Sequence, residues 1–337
     1  MTTIEQVRIT GAGQVSLDRV ELPPCGPRDA IVEVHACGIC GSDLSYIRLG
    51  GLAGPSGEPM PLGHELAGVV TTVGAEVTDV VPGQRVVVHP GGDDIGRIGN
   101  GTAEGGLANA VLVREAARGG RLFPIPDDMP LDIAALAEPV AVGMHAAEQA
   151  DVGRDDKVAV FGCGPIGLAA IASMADRGLT DIVAIDLSAT RRRLAETLGA
   201  TAIDPADASV WAELSRLHGT AKVQFGTAPA TSAYIEATGS STMLTKIVDR
   251  AGRGSTICVV ALHYEPVPIN FLSVLMQELT IRGSIEYPAR FADAIELLSR
   301  RDLSPLITHR FGLGDIASAL ELLGSSKECG KVMIEMR

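Results

Sequence analysis

The sequence lacks any run of about 18 apolar residues, so nothing in it reads as a membrane span. It also lacks a basic excess. Lys and Arg number 28 against 41 Asp and Glu, for a net charge of −13, and the basic residues are scattered apart from Arg191, Arg192 and Arg193. Such a chain has no field to attract a phosphate backbone, which argues against a nucleic-acid partner. Cysteine is sparse. Six residues, Cys25, Cys37, Cys40, Cys163, Cys258 and Cys329, lack the dense spacing of a disulfide scaffold, and metal or core roles fit them better. The N-terminal residues Met1 to Gln6 have neither the basic start nor the apolar run of a secretion signal, so a cytoplasmic, soluble protein is expected. Internal repeats and low-complexity linkers are missing too. Aromatics make up only 3%, which leaves few rings to mark a substrate pocket.

What is present is a globular composition, 46% hydrophobic and 20% charged, in 337 residues. That length suggests about two domains. Residues up to about 125 are rich in β-branched runs punctuated by Gly and Pro, such as Ala30 to Val34 and Arg85 to Val88. From Val158 the texture becomes strands alternating with helices. Val158 to Phe161 and Ile182 to Asp186 read as strands, as do Tyr234 to Glu236 and Ser255 to Val260. Between them lie helical stripes: Ile166, Ile171 and Met174 on roughly one face, then Leu194 and Leu198 before Gly199, then Val210, Leu214 and Leu217. Alternating βα units imply a doubly wound parallel sheet, so the fold class is α/β. Two further helices, around Phe291 to Leu298 and Ile316 to Leu323, and a strand from Lys331 to Glu335 close the chain.

Gly162-Cys163-Gly164-Pro165-Ile166-Gly167 is a GxGxxG between a strand and a helix. The first glycine makes a tight turn, the second admits a pyrophosphate to the backbone, and the third allows close helix–sheet packing. The following helix offers unpaired N–H groups and a positive dipole end to phosphate. A lone GxGxxG is weak, but Asp186 ends the next strand about 20 residues on, where an acid accepts ribose hydroxyls and repels a 2′-phosphate. NAD is therefore expected rather than NADP. Arg191 to Arg193 read as a solvated helix face, with Arg191 retained among the candidate cofactor residues.

Two upstream motifs carry metal-ligating residue types: Cys37-Gly38-Ile39-Cys40-Gly41-Ser42-Asp43 and Gly63-His64-Glu65-Leu66-Ala67-Gly68. Thiolate, imidazole and carboxylate suit zinc in an open, three-ligand site. Taken singly, the Cys pair fits two buried thiols and the His-Glu pair fits a solvated strand end. A structural site would want a second CxxC.

Taken together, the run from Gly63 to Val77, the Cys40-Gly41-Ser42-Asp43 stretch and the glycine fingerprint resemble the zinc-containing medium-chain alcohol dehydrogenases. The branch most similar is that of sorbitol, 2,3-butanediol and threonine dehydrogenases, and the similarity extends to Leu306 to Phe311. The resemblance implies a GroES-like β-rich catalytic domain over 1–145, a Rossmann domain over 146–287 and a return segment over 288–337. It implies hydride transfer between a secondary alcohol and NAD. The zinc ligands it implies are Cys40, His64 and either Glu65 or Glu138, the latter in the match Glu138-Pro139-Val140-Ala141-Val142-Gly143. Asp43 is implied to orient the His64 ring, Ser42 to contact the bound alcohol, and Val142 to pack on the nicotinamide.

Two departures from the family pattern stand out. Ser45 replaces a histidine that many relatives use in the onward proton relay, and Tyr46 beside it is a candidate pocket residue. The stretch from His89 to Asn109, where many relatives carry four cysteines around a structural zinc, has none, so one zinc per chain is expected. The competing readings are a zinc-free quinone or enone reductase and a non-catalytic nucleotide-binding relative. Both sit poorly with intact metal motifs. An apolar sheet edge near Ser255 to Val260 and Leu279 to Gly283 calls for pairing, so a homodimer or a tetramer of dimers is expected.

Overall fold

The computed structural model describes residues 2–91, 96–207, 209–224, 226–326 and 328–336. The chain divides into two compact units, Met1–Glu138 with Phe291–Arg337, and Pro139–Arg290. The sequence reading set these divisions at 145/146 and 287/288; both 138/139 and 145/146 lie within one helix, Ala137–Gln149.

The first unit is built on a seven-stranded sheet. Its path runs Ile307–Gly312, Lys331–Glu335, Ala30–Ile39, Glu65–Val73, Arg85–Val88, Leu122–Pro124, with Ala110–Val113 also paired to Ala30–Ile39. A small sheet of Gln14–Glu21, Thr3–Gly11 and Met60–Pro61 lies in the same unit. Strand Ala30–Ile39 shows why these residues pair. Val32 and Val34 turn inward and Glu33 and His35 outward, as the period of two demands. From Ala36 onward every residue is buried, so the strand runs beyond the expected Ala30 to Val34 and carries Cys37 into the core.

The stretch lacking cysteines is fastened by an arginine. The buried Arg121 guanidinium donates to the carbonyls of His89 (3.2 Å), Arg114 (3.4 Å) and Gly96. Glu104 is buried and bonded to Arg114 at 2.8 Å, and Ile98, whose backbone bridges to Glu104, is fully buried. The expectation of no structural zinc also covers residues 92–95, which lie outside the described residues.

The second unit holds six parallel strands in the order Thr201–Ile203, Ile182–Ile185, Val158–Phe161, Ala233–Glu236, Thr256–Val259, Thr280–Gly283. The strand order reverses beside Val158–Phe161, and ligands bind at such a switch point, outside the carboxyl ends of the strands. Helix Pro165–Asp176 is buried at every residue from Gly167 to Met174, not on one face. Helix Ala137–Gln149 covers it, with Gly143 so close that a Cβ there would lie 2.5 Å from the Ala169 methyl. A two-stranded ribbon, Thr220–Val223 with Gly226–Pro229, was not legible as strands beforehand. Among the described residues no helix is long and apolar enough to cross a membrane.

Candidate metal and nucleotide sites

Cys40 follows strand Ala30–Ile39 and is the N-cap of helix Gly41–Leu49. Its backbone N–H donates to Asp43 Oδ2 at 2.9 Å, so the capping contact that starts the helix also places the aspartate. Asp43 is fully buried, and its other oxygen stands 3.6 Å from His64 Nδ1. Neither of those two atoms has a hydrogen-bond partner. Asp43 thus faces one ring nitrogen of His64 and leaves the other for a metal, as a carboxylate behind a ligating histidine does.

Ligand atoms of Cys40, His64 and Glu65 lie within 4.8 Å of one another, and this is the one such group among the described residues. Cys37 is not part of it. Its thiol is fully buried in the apolar cluster with Leu62 and Leu66, and burial pushes it well up from the usual thiol range, so it stays protonated. The spacing CxxC therefore separates into one core thiol and one site thiol. Burial lowers the proton affinity of His64, but the Asp43 carboxylate, Cys40 and Glu138 outweigh it and hold the imidazole well above its ordinary value. Burial raises Asp43 as well. A buried pocket where a thiol, an imidazole and a carboxylate converge is a pocket for a cation, and its donor set fits zinc.

Glu138 is buried in the first turn of helix Ala137–Gln149 and acts on His64 through its charge, outside the close group of three. Glu65 is fully buried, and both its oxygens accept from the Lys331 ammonium, at 2.5 and 2.6 Å. Lys331 also donates to the Ile39 carbonyl at 3.1 Å. These residues flank one strand: Glu65 pairs with Gly38 on one side of Ala30–Ile39, and Lys331–Glu335 runs along the other. The two side chains meet over Gly38, where a Cβ would sit 1.9 Å from a Glu65 oxygen. Burial works against the lysine charge, yet Glu65 with Cys40 and Glu138 more than offsets it and raises its proton affinity. Lys331 was not among the site residues expected from sequence. The available signal was a charge at the head of an otherwise apolar closing strand.

Ser42 is half-buried in the helix that Cys40 caps, and Ser45 turns its hydroxyl back to the Gly41 carbonyl at 3.4 Å. Tyr46 bonds to Asn100 at 3.2 Å.

In the second unit, Gly162 turns with φ +94°, and a Cβ on Gly167 would fall 1.9 Å from the Gly162 carbonyl oxygen. Gly164 is different: a Cβ there meets nothing within 4 Å. The open space lies at the N-terminus of helix Pro165–Asp176, which has no side-chain cap. Pro165 brings no donor, so Ile166 and Gly167 head the helix with backbone N–H groups. A pyrophosphate fits that cradle. Asp186 follows strand Ile182–Ile185 and accepts from the N–H groups of Cys163 (2.7 Å) and Ser188 (2.8 Å). Arg191 is half-buried, and its N–H donates to the Ser188 side chain that caps helix Ala189–Thr197. Val142 is half-buried on helix Ala137–Gln149.

The arginine run is not uniformly a solvated face. Arg193 is exposed, while Arg192 folds back onto the turn at Asp186.

Residues 26–127 match the family model of the alcohol dehydrogenase GroES-like domain, and residues 165–300 that of the zinc-binding dehydrogenases. Sorbitol dehydrogenase of Bos taurus is 31% identical over 97% of this chain and 94% of its own length. The (R,R)-butanediol dehydrogenase of Neisseria gonorrhoeae is 31% identical over 94% of each. The crystal structure of 2R,3R-butanediol dehydrogenase from Bacillus subtilis superposes with a TM-score of 0.86 at 29% identity, covering 99% of this chain and 100% of that one.

Proposed function

The chain belongs to the zinc-containing medium-chain alcohol dehydrogenase family, and from that premise we propose that it oxidises a secondary alcohol of the diol or polyol class to the ketone, with NAD as hydride acceptor and one zinc per chain. The convergence of Cys40, His64 and Glu65 carries this reading. Zinc held there supplies a Lewis acid that lets an alcohol hydroxyl release its proton near neutral pH. Cys40 and His64 are the constant ligands, and the third is Glu65 or Glu138. Lys331 weighs on that choice, because it bonds directly to both oxygens of Glu65 and also feels the charge of Glu138. Asp43 keeps the His64 ring aimed. Ser42 takes the alcohol proton; Ser45, whose hydroxyl lies 3.4 Å from the Gly41 carbonyl, stands where many relatives carry a relay histidine. A zinc-free reductase has no use for these donors.

The bound cofactor supplies the hydride acceptor. Gly162, Gly164 and Gly167 shape the pyrophosphate cradle with Pro165 and Ile166, Asp186 and Arg191 hold the adenosine ribose, and Val142 packs on the nicotinamide. The substrate class is taken from the names of the relatives. A panel of secondary alcohols, followed as NADH formation with zinc measured on the same preparation, tests the proposal. Turnover that survives complete zinc removal, or about two tightly held zincs per chain, would refute it.

A homodimer, or a tetramer of such dimers, is proposed from the second unit. Strand Thr280–Gly283 ends the sheet, and Phe271 (74% exposed), Leu275 (71%) and Ile285 (70%) lie bare close to it in sequence. An apolar sheet edge is a liability unless paired. A monomeric mass at micromolar concentration would count against assembly.

A further inference from the structure

Arg192, in the middle of the arginine run, is held by the cofactor turn itself. It rises from helix Ala189–Thr197 and is 18% exposed. One nitrogen, Nη1, donates to the carbonyls of both Asp186 and Leu187 at 2.8 Å. The other, Nη2, meets Asp204 Oδ2 at 2.6 Å. Asp204 follows strand Thr201–Ile203, whose Ile203 is in register with Ile185 on the adjacent strand. The two aspartates thus leave neighbouring parallel strands side by side, and the guanidinium bridges the turn after one to the side chain of the other. Asp204 is fixed in turn, because its Oδ1 accepts from the Ala206 N–H at 2.9 Å.

We propose that Arg192 and Asp204 form a specificity-determining pair for the cofactor, in which Arg192 sets the Asp186–Ser188 turn and Asp204 keeps its guanidinium away from a 2′-phosphate. Three arginines just beyond an acidic ribose site could otherwise serve as a phosphate site, since a guanidinium fork binds phosphate well. Here the fork is filled by two carbonyls and a carboxylate. The same bonds fix the backbone from which the Asp186 side chain projects. Arg192 is therefore a positioning residue for ribose recognition, and Asp204 keeps it in that role. The inference rests on the NAD reading above.

The test uses the full-length, zinc-loaded protein and two probes, ADP-ribose and 2′-phospho-ADP-ribose, with affinities measured by calorimetry and no turnover needed. Asp204→Asn keeps the shape and an acceptor for Ala206 but removes the charge. It should shift the affinity ratio about tenfold toward the 2′-phosphate ligand, a gain in charge-assisted bonding by a released guanidinium. The double variant Arg192→Met with Asp204→Asn should lose that gain, which a merely structural role for Asp204 would not predict. Arg192→Met alone should weaken ADP-ribose about tenfold without improving the 2′-phosphate ligand, and Arg192→Lys should fall between. A ratio unmoved in Asp204→Asn overturns the pair, as does a gain that persists in the double variant. Should Asp204→Asn not fold, unchanged ADP-ribose affinity in Arg192→Met overturns it instead. A parental protein that prefers the 2′-phosphate ligand refutes the NAD reading, which is a separate outcome.

Discussion

Two buried histidines, one in each unit, have opposite proton affinities. His64 in the first and His218 in the second are 4% and 1% exposed. Burial lowers both, but around His64 the charges of Asp43, Cys40 and Glu138 reverse the outcome and raise it. Around His218 burial prevails; Asp181 raises it, Lys157 lowers it, and the net shift is downward. The Nδ1 of His218 lies 2.8 Å from the Thr231 hydroxyl and its Nε2 lies 3.3 Å from Asp181, whereas His64 Nδ1 has no hydrogen-bond partner. A buried histidine alone is a poor marker of function. Uncompensated negative charge around it is a good one, because such charge is tolerated in a core only where a cation answers it.

The same contrast extends to the two sites. In the first unit, side chains far apart in sequence make a charged cluster. In the second, backbone and glycine shape make an open cradle, and Asp186 accepts from two backbone N–H groups beside it.

The sharpest way to break the comparison is Cys40→Ala. Zinc content should fall from about one per chain toward zero and turnover toward background, while ADP-ribose affinity stays near the parental value. Loss of nucleotide binding as well, seen by calorimetry, would mean that the two sites are not separable.

The next effects fall on folding stability. Lys331 and the glycines can be compared on one scale, the melting temperature. Lys331→Met leaves the Glu65 carboxylate buried without its cation and should cost about 3–5 kcal/mol of stability in metal-free protein. Combining it with Glu65→Gln should recover part of that loss. A melting temperature unchanged in Lys331→Met would show that the pair is not the support described here.

Gly167→Ala forces a methyl onto the Gly162 carbonyl and should cost about 1–3 kcal/mol. Gly164→Ala places a methyl in open space, so the melting temperature should hold while ADP-ribose binding drops. If Gly164→Ala binds ADP-ribose like the parent, the cradle is wrongly placed.

The smallest effect is in pH. In metal-free protein the raised His64 contributes stability below about pH 6.5 that is lost as pH rises through its folded value. His218, lowered, contributes stability above about pH 6.5 that is lost as pH falls through its folded value. Zinc must displace the His64 proton, so each proton released makes binding about tenfold tighter per pH unit, about 1.4 kcal/mol. The gap in melting temperature between zinc-loaded and stripped protein should therefore widen from pH 6 toward 8. His218→Gln should leave that gap alone while flattening the acid-side loss of stability.

What could be read along the chain was whatever is local. A glycine turn needs only neighbours, so Gly162 to Gly167 and Asp186 announce a nucleotide site within a few dozen residues, and the βα alternation announces the parallel sheet. The order of ligand types in Cys40, His64 and Glu65 was legible as a pattern. Which cysteine of the CxxC serves the site came only from the family resemblance, because by local residue type Cys37 and Cys40 differ only in where strand Ala30–Ile39 ends relative to the core. Lys331 could not be assigned from sequence either. It reaches Glu65 across a glycine of the strand between them, and that contact exists only once three strands distant in sequence lie side by side. Arg192 looked like one of three surface arginines until the sheet brought Asp204 beside Asp186. Local backbone chemistry is written in consecutive residues; the balance of buried charge is a sum over space, and only the tertiary structure carries it out.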